Sequence, residues 1–303
     1  MSAFTVALAQ YPIEPVASFS AWQERIARWV EQAVLNEARL LVFPEYAGME
    51  LASLDPESMG DLQRTLRFVE GLVEQIDAHH RALAMAHDVH ILAGTMPWAL
   101  PDGRVVNRGR LFTPAGRCGH QDKIVMTRFE REHWSINGGD RVRVFETDLG
   151  RIGISICYDV EFPLIARAQA EAGAALILSP SCTDTMQGYW RVRIGAQARA
   201  LENQCFVAQV PMVGMAPWSP VLDANYGAAA LFAPPDGDSP DDGILALGAL
   251  GEPQWVFATV DPERVAHWRR EGTVRAFTHW AEQLVGGQPP AVSCEVIDLR
   301  ETA

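Results

Sequence analysis

Three residues of this chain have side chains suited to joint chemistry, and each lies at the end of a predicted strand or just beyond one. Cys157 follows the alternating isoleucines of segment 152–156 and precedes Pro163, so it occupies the turn between a strand and a helix. Side chains at that position project from the carboxyl edge of a sheet, where α/β folds hold their reactive groups. Glu45 follows a short apolar strand, and Lys123 lies downstream of another.

A thiol, a carboxylate and an ammonium together can perform nucleophilic catalysis. A free thiol, with a pKa of ~8.5, is mostly protonated at neutral pH. Glu45 is suited to take the proton of Cys157, and Lys123 is suited to favour the thiolate. Lys123 and the backbone N–H of Tyr158 can also stabilise the oxyanion that forms when sulfur adds to a carbonyl. The set therefore predicts covalent thiol chemistry on a carbonyl compound.

Taken singly, these residues have ordinary structural explanations. An isolated free cysteine is usually a buried packing residue. An isolated glutamate usually lies in a surface loop, because burying a carboxylate without partners is costly. The functional interpretation therefore depends on the three residues occurring together.

The positions of these residues require an alternating α/β chain that forms stacked layers of helix and sheet. Strands are predicted at 4–10, 40–43, 90–95, 107–113, 152–156, 174–178, 205–210, 227–232 and 255–260. Helices are predicted from a cap at Ser18 or Ser20 to residue 34, and at 61–87, 162–172, 188–203 and within 262–284. Without a composition break, we predict one domain over 1–285 and a tail over 286–303 available for oligomer contacts.

Composition excludes several classes of protein. With 303 residues, 48% of them hydrophobic, the chain can bury a large core, and no segment approaches the ~18 apolar residues of a membrane span. A net charge of −13 argues against binding to nucleic acid or to an anionic membrane. The five cysteines are sparse and lack metal-type pairing, as is typical of free thiols in a reducing compartment. The N-terminus lacks the pattern of a secretory signal, so both observations predict a cytoplasmic protein.

Six motifs occur in a characteristic order, and together they resemble the nitrilase superfamily of carbon–nitrogen hydrolases. The resemblance extends from residue 7 to about residue 261. The motifs are Leu-Val-Phe-Pro-Glu45, Asp122-Lys123 with Glu130-Arg131, Cys157-Tyr-Asp-Val-Glu-Phe-Pro163, and the segments 173–180, 199–203 and 227–236.

The resemblance implies a four-layer α-β-β-α sandwich and assigns roles to four residues. Glu45 would be the general base, Lys123 the oxyanion stabiliser and Cys157 the nucleophile. Glu130 matches the family's second glutamate, which positions substrate and Lys123. Members of the family need no metal or organic cofactor for this chemistry, and they commonly form dimers or larger assemblies.

Segments 11–12, 129–132, 180–185 and 188–197 resemble an amidase-like subgroup whose members are sometimes fused to an acetyltransferase domain. Two departures from other branches bear on the substrate. Asp122 stands where many amidases have a basic residue, and Cys157-Tyr-Asp replaces the Cys-Trp-Glu of true nitrilases.

We therefore predict a hydrolase of small linear amides or N-carbamoyl compounds rather than of nitriles. An acyltransferase that uses the same acyl-enzyme, a true nitrilase and a non-catalytic binding protein are the alternatives.

Six residues are candidates to line the substrate pocket, namely Tyr46, Trp134, Glu161, Cys182, Tyr189 and Trp190. For Cys182 a packing or lining role is favoured over a second nucleophile. Asp159 and Glu161 can orient substrate or Lys123, or can bond to backbone at the turn, and the sequence does not separate these roles. Arg191 and Arg193 can receive a substrate carboxylate, although surface ion pairs are commoner for arginines on a helix.

Four histidines cluster at 79, 80, 87 and 90. They lack a carboxylate or thiol at ligand spacing, so we predict surface or capping roles and no metal site. For the segment 199–203 we predict a structural network of buried polar groups at the end of a helix.

Overall fold

The computed structural model describes residues 2–57, 61–219, 221–288, 290 and 292–301. Within them the strands are β1 (Phe4–Pro12), β2 (Ala38–Val42), β3 (His90–Ala99), β4 (Val105–Phe112), β5 (Cys118–Asp122), β6 (Ile136–Asn137), β7 (Val142–Thr147), β8 (Gly150–Ile154), β9 (Leu176–Ser181), β10 (Phe206–Met215), β11 (Ala224–Asn225), β12 (Ala230–Phe232), β13 (Ile244–Leu247), β14 (Gln254–Val260) and β15 (Cys294–Asp298). The α-helices are α1 (Phe19–Leu35), α2 (Leu62–Glu70), α3 (Val73–His87), α4 (Arg128–Glu132), α5 (Pro163–Glu171), α6 (Met186–Asn203), α7 (Pro262–Glu271) and α8 (Ala276–His279). Short 3-10 segments occur at Ala47–Leu54, Cys157–Glu161 and Trp280–Leu284.

Five of the eight described α-helices begin where a polar side chain accepts a backbone N–H of the first turn, namely that of Ser18, Asp61, Thr127, Thr185 or Asp261. Ser18 rather than Ser20 caps α1, because its Oγ accepts a hydrogen bond from the Ala21 N–H at 3.1 Å. The helix predicted over 61–87 is two helices, separated at residues 71–72, and the one predicted over 262–284 is α7, α8 and a 3-10 segment. A continuous apolar pattern does not reveal a short break, because the helical period survives it.

The described strands form two β-layers, which are joined by the pairing of β1 with β10. The first runs β14-β1-β2-β3-β4-β5, and the second contains β10-β9-β8-β7-β15 with β12 and β13. They meet where β1 pairs in parallel with β10, at Tyr11 opposite Met212. The result is one nearly continuous sheet that folds onto itself.

The alternation of side chains along β1 divides the core into two parts. Val6 and Leu8 face the second β-layer, where they pack with residues such as Ile152 and Leu176. Ala7 and Ala9 face the other way and pack in a core that includes Trp22 and Ile26 of α1 and Ile76 of α3. Helices α5 and α6 cover the outer face of the second layer. The predicted four-layer α-β-β-α sandwich is thus confirmed.

The segment predicted as a tail contains a strand. β15 pairs in parallel with β7, and the Leu299 N–H donates to the Glu146 carbonyl at 2.9 Å. Residues 294–298 therefore complete an edge of the second layer, while the domain boundary at 285 and the oligomer contacts stay predictions.

No helix in the described ranges is long and apolar enough to cross a membrane.

Parallel pairing brings several strand ends to one edge of the sandwich. β2 pairs in parallel with β1, β1 with β10, β10 with β9, and β9 with β8. The segments after β2, β8 and β9 carry Glu45, Cys157 and Cys182 respectively. Residues far apart in the sequence are therefore delivered to the same place.

Gly94 in β3 allows the backbone of that strand to approach Pro44, the residue before Glu45, very closely. Gly94 has φ +73°, and a Cβ atom there would overlap the carbonyl oxygen of Pro44. Beside it, the Tyr46 N–H donates to Thr95 Oγ1 at 3.1 Å. This close approach sets the position of the Pro44–Tyr46 turn relative to β3.

Replacing Gly94 with alanine should destabilise the protein and displace this turn. The matched control is Gly103→Ala, which shares a positive φ of +86° but has no atom within 4 Å of the added Cβ. The control should lose about 1 kcal/mol from backbone strain alone, and Gly94→Ala should lose more because of the overlap. Urea unfolding of both variants measures the difference, and equal losses would show that the close approach is unimportant.

Candidate active site

Cys157 occupies a strained and buried turn. Leaving β8, the chain turns at Cys157 with φ +48°, passes through a short 3-10 segment and enters α5 at Pro163. A positive φ is costly for a residue with a side chain, and residues strained in this way cluster at functional sites. The thiol is 5% exposed and lies 3.8 Å from the backbone oxygen of Cys182.

Glu45 is buried beside this thiol and is held by three donors. Its Oε1 atom accepts from Lys123 Nζ at 2.8 Å and from Asn107 Nδ2 at 2.9 Å. Its Oε2 atom accepts from the backbone N–H of Cys182 at 2.9 Å. The backbone of Cys182 thus contacts both Glu45 and Cys157 and links the two side chains.

Lys123 connects the two glutamates. Its Nζ atom donates to Glu45 and, at 2.7 Å, to Glu130 Oε2, and the side chain is 1% exposed. Glu130 is the third residue of the short helix α4, where it forms a capping box with Thr127. Its Oε1 atom also accepts from the Tyr46 hydroxyl at 2.8 Å. The four predicted catalytic residues therefore come together.

The two glutamates have environments that separate their pKa values. Burial raises the pKa of Glu45, and Lys123 offsets only part of that effect. Burial also raises the pKa of Glu130, but Lys123 and the Thr127 N–H lower it by more than burial raises it. The pKa of Glu130 is therefore below its ordinary value. Glu130 is therefore a fixed negative charge, whereas Glu45 is able to exchange a proton.

The thiol and the ammonium are both protonated in this environment. Burial, followed by the charge of Glu45, raises the pKa of Cys157 well above its usual value. Burial lowers the pKa of Lys123, but Glu130 and Glu45 raise it more, so the amine remains an ammonium. The thiol thus needs a base during attack, and Glu45 is the carboxylate placed to supply one.

A cavity of about 580 Å³ opens onto this cluster. Besides the four residues above, its lining includes Tyr46, Thr127, Arg128, Phe129, Trp134, Tyr158, Glu161, Cys182, Thr183, Asp184, Arg191 and Asp223. This set contains four of the six predicted pocket residues. A volume in this range suits a small ligand.

Tyr189 and Trp190 do not line the cavity, which corrects their prediction. Tyr189 is buried, and its hydroxyl accepts from Arg193 at 2.8 Å, while Trp190 is 48% exposed. Successive helical residues point about 100° apart, so the cavity face of α6 presents Gly188 and Arg191 instead.

Asp159 and Glu161 have different roles, which the sequence left open. Asp159 is buried and accepts backbone N–H groups of Ile124, Val125 and Ile156 at 2.8–3.3 Å. It therefore ties the segment after Lys123 to the turn at Cys157. Glu161 lines the cavity, 3.5 Å from Arg191.

Asn107 was missed as a site residue in the sequence interpretation, where it only began a strand. It is fully buried, and its side chain contacts Glu45 and Glu130. The sequence offered little signal, because the same strand also carries Arg108 and Arg110 and a further polar side chain does not stand out there.

Two of the clustered histidines are buried, so the predicted surface or capping roles are wrong for them. His80 packs against aromatic rings, and its Nδ1 lies 2.9 Å from the Ile76 oxygen. Burial lowers the pKa of His80 to about 3 and that of His90 to about 4, so both are neutral. In the described ranges, no group of three or more acidic, histidine or cysteine residues could hold a metal ion.

The predicted polar network at the end of α6 has several of its members in place. Arg199 forms an ion pair with Glu202 at 2.8 Å and donates to the Val160 oxygen at 3.2 Å. Asn203 donates to the Arg199 oxygen at 3.0 Å. These contacts link the helix to the segment after Cys157.

A buried carboxylate anchors the segment that follows Glu45. Glu50 lies in the 3-10 segment Ala47–Leu54 and is not exposed. Its two oxygens accept from the Tyr11 hydroxyl and from Arg25, both at 2.6 Å. Burial raises the pKa of Glu50 to about 7, although Arg25 and Tyr11 lower it in part.

Comparison with known proteins agrees with this arrangement. A family model described as carbon-nitrogen hydrolase matches residues 5–270. The probable hydrolase YhcX of Bacillus subtilis (strain 168) is 36% identical over 278 residues, which cover 90% of this chain and 53% of that protein. This chain thus spans about half the length of the Bacillus protein.

Two further similarities extend over most of both chains. The omega-amidase NIT2 of Xenopus tropicalis is 23% identical over 290 residues, covering 91% of this chain and 95% of the relative. Nit3 of Saccharomyces cerevisiae, a member of branch 10 of the nitrilase superfamily, has a similar fold, with a TM-score of 0.70 at 22% identity. That match covers 89% of this chain and 94% of Nit3.

The titration of Glu50 should make stability depend on pH. An acid whose pKa is higher in the folded than in the unfolded protein binds its proton more tightly in the folded protein. The contribution of this proton to the free energy of unfolding is therefore lost as pH rises from 4.5 to about 7. The stability difference between the native protein and Glu50→Gln should fall by about 3 kcal/mol over that interval. Glu14→Gln, which removes the exposed carboxylate on the same Arg25, is the matched control. Urea unfolding measures both, and a pH-independent difference for Glu50→Gln would contradict the prediction.

Proposed function

This chain belongs to the carbon–nitrogen hydrolase family, and from that premise we propose that it hydrolyses a small linear amide or N-carbamoyl compound through a thioester on Cys157. The observation that supports this most directly is the convergence of Glu45, Lys123 and Cys157 on one cavity. The omega-amidase among its relatives supports an amide over a nitrile.

The first step forms a bond between sulfur and the carbonyl carbon. Glu45 takes the proton of the Cys157 thiol as sulfur attacks, and the carbonyl π electrons move onto oxygen. Lys123 and the backbone N–H of Tyr158 donate to that oxyanion, and one such donor typically supplies roughly 2.7–4 kcal/mol of stabilisation. Glu130 helps to hold the ammonium in place, since its Oε2 atom accepts from Lys123 Nζ at 2.7 Å.

The second half of the reaction releases both products. The tetrahedral intermediate collapses as its C–N bond breaks, and Glu45 returns the proton to the departing amine or ammonia. Glu45 then takes a proton from water, which attacks the thioester carbonyl. The acid leaves as the C–S bond breaks, and sulfur regains its proton. Glu45 thus serves as base and acid in turn, which suits its raised pKa.

The other charges of the cavity favour a substrate with a cationic far end. Arg191 faces Glu161, and Arg128 is paired with Glu132 at 2.8 Å. Two more carboxylates, both exposed, line the cavity without a hydrogen-bond or ion-pair partner in the described part of the chain: Asp184 and Asp223. An ammonium group attracted there would leave the amide free to reach the thiol.

Removal of the nucleophile should abolish turnover. Cys157→Ala should lower ammonia release from a verified amide by three orders of magnitude or more, because no thioester can form. Cys205→Ala, which removes another fully buried thiol, should keep the native rate per folded molecule. Intact-protein mass spectrometry after acid quenching should detect an acyl adduct on the native protein and none on Cys157→Ala. Full activity in Cys157→Ala would end the proposal.

The same assay separates hydrolysis from acyl transfer. Added hydroxylamine competes with water for the thioester, so a hydrolase should release ammonia equally well without it. An enzyme that releases ammonia only when an amine or hydroxylamine is present would be an acyltransferase instead.

Substrate charge can be tested with three linear amides of matched length. Amides that end in an ammonium, a methyl group and a carboxylate should be hydrolysed with kcat/KM values that fall in that order, by about tenfold from first to last. The double variant Asp184→Asn, Asp223→Asn should lose the preference for the ammonium and keep activity on the methyl compound. A native preference for the carboxylate would show that Arg191 governs recognition.

A further inference from the structure

Asn107 contacts all three charged residues of the catalytic cluster. Its Nδ2 atom donates to Glu45 Oε1 at 2.9 Å and to Glu130 Oε1 at 3.3 Å. Its backbone oxygen accepts the N–H of Lys123 at 2.8 Å. The residue lies inside β4 and is fully buried, so water cannot replace it as the hydrogen-bond partner of Glu45, Glu130 or Lys123.

The orientation of the amide follows from the charges around it. Its Oδ1 atom is buried and has no hydrogen-bond partner in the described part of the chain, and an unpaired buried acceptor is costly. In the reverse orientation, that oxygen would face two carboxylates. The observed orientation therefore directs both amide hydrogens toward the carboxylates and leaves Oδ1 unpaired.

The cluster needs donors because its charges do not balance. Glu45 and Glu130 carry two negative charges, and Lys123 carries one positive charge that both share. Each carboxylate disfavours ionisation of the other in a medium with little water. The charged or titratable groups that face Glu45 are Lys123, Glu130, Cys157, Tyr46 and Cys182.

We infer that Asn107 is a positioning residue that holds Glu45 and Glu130 in fixed places around Lys123, so that Glu45 stays ionised and able to deprotonate Cys157. The inference rests on the proposed function, since it assigns Glu45 as the base. Asn107 does not line the cavity and acts only through the two glutamates.

The test measures alkylation of Cys157 by iodoacetamide between pH 5 and 9, with peptide mass spectrometry as the readout. Asn107→Asp has the same shape but replaces the donor by a negative charge, and Asn107→Leu removes the donor without adding charge. At pH 7 the labelling rate should fall at least tenfold in Asn107→Asp. The midpoint of the pH profile should rise by about one unit or more in Asn107→Asp and by less in Asn107→Leu.

A matched control distinguishes positioning from packing. Asn203 is also fully buried, and it donates through Nδ2 to a backbone oxygen at 3.0 Å, while its Oδ1 has no partner among the residues that the structure describes. Asn203→Leu should lower the thermal midpoint of unfolding and leave the pH profile of labelling unchanged. If both Asn107 variants fold and also show a lower thermal midpoint with an unchanged pH profile, Asn107 has only a structural role and the inference is overturned.

Glu45→Gln separates failure of the inference from failure of the proposed function. Slow labelling in Glu45→Gln, together with shifted profiles in the Asn107 variants, supports both. Slow labelling in Glu45→Gln with native profiles in the Asn107 variants overturns the inference alone. Native labelling in Glu45→Gln would show that Glu45 is not the base, and both would fail.

Discussion

The burial of one ammonium between two carboxylates is the constraint on which the active-site structure depends. Lys123 is almost completely removed from solvent, and an unpaired charge there would be strongly destabilising. Glu45 and Glu130 neutralise it but leave one excess negative charge. The surrounding donors, from Asn107, Tyr46, Thr127 and the backbone of Cys182, stabilise that excess. A site built this way is rigid, because movement of one member leaves another unpaired.

The fold supplies these donors from separate layers of the sandwich. Glu45 follows β2 and Asn107 lies in β4, both in the first layer, whereas Cys157 and Cys182 follow β8 and β9 in the second. The parallel pairing of β1 with β10 aligns the two layers so that their strand ends share an edge. Asp159 then connects the turn at Cys157 to the segment after Lys123. Cys157, Glu45 and Lys123 therefore come from different segments, each of which closely follows a strand.

Local pattern predicted nine of the fifteen described strands, the strand-to-helix turn at Cys157 and the cap of α1, because these depend on neighbours in sequence. It failed where burial depends on distant partners. His80 looked like a surface residue of a polar helix, yet that face packs against aromatic rings of other elements. Similarly, Tyr189 and Trp190 were predicted to line the pocket because they are aromatic and close in sequence to it. The rotation of α6 against the sheet turns both away.

By itself, the sequence was sufficient to predict the family and the layered α/β architecture and to select Glu45, Lys123, Cys157 and Glu130 as candidate site residues, since short motifs at strand ends carry that information. Only the tertiary structure decided that Asn107 touches both glutamates, that the Cys182 backbone contacts both Glu45 and Cys157, and which side chains border the cavity. Those relations join residues up to 137 positions apart, as between Glu45 and Cys182. The physical reason is that hydrogen-bond geometry between distant segments depends on how layers pack, and no local propensity encodes it.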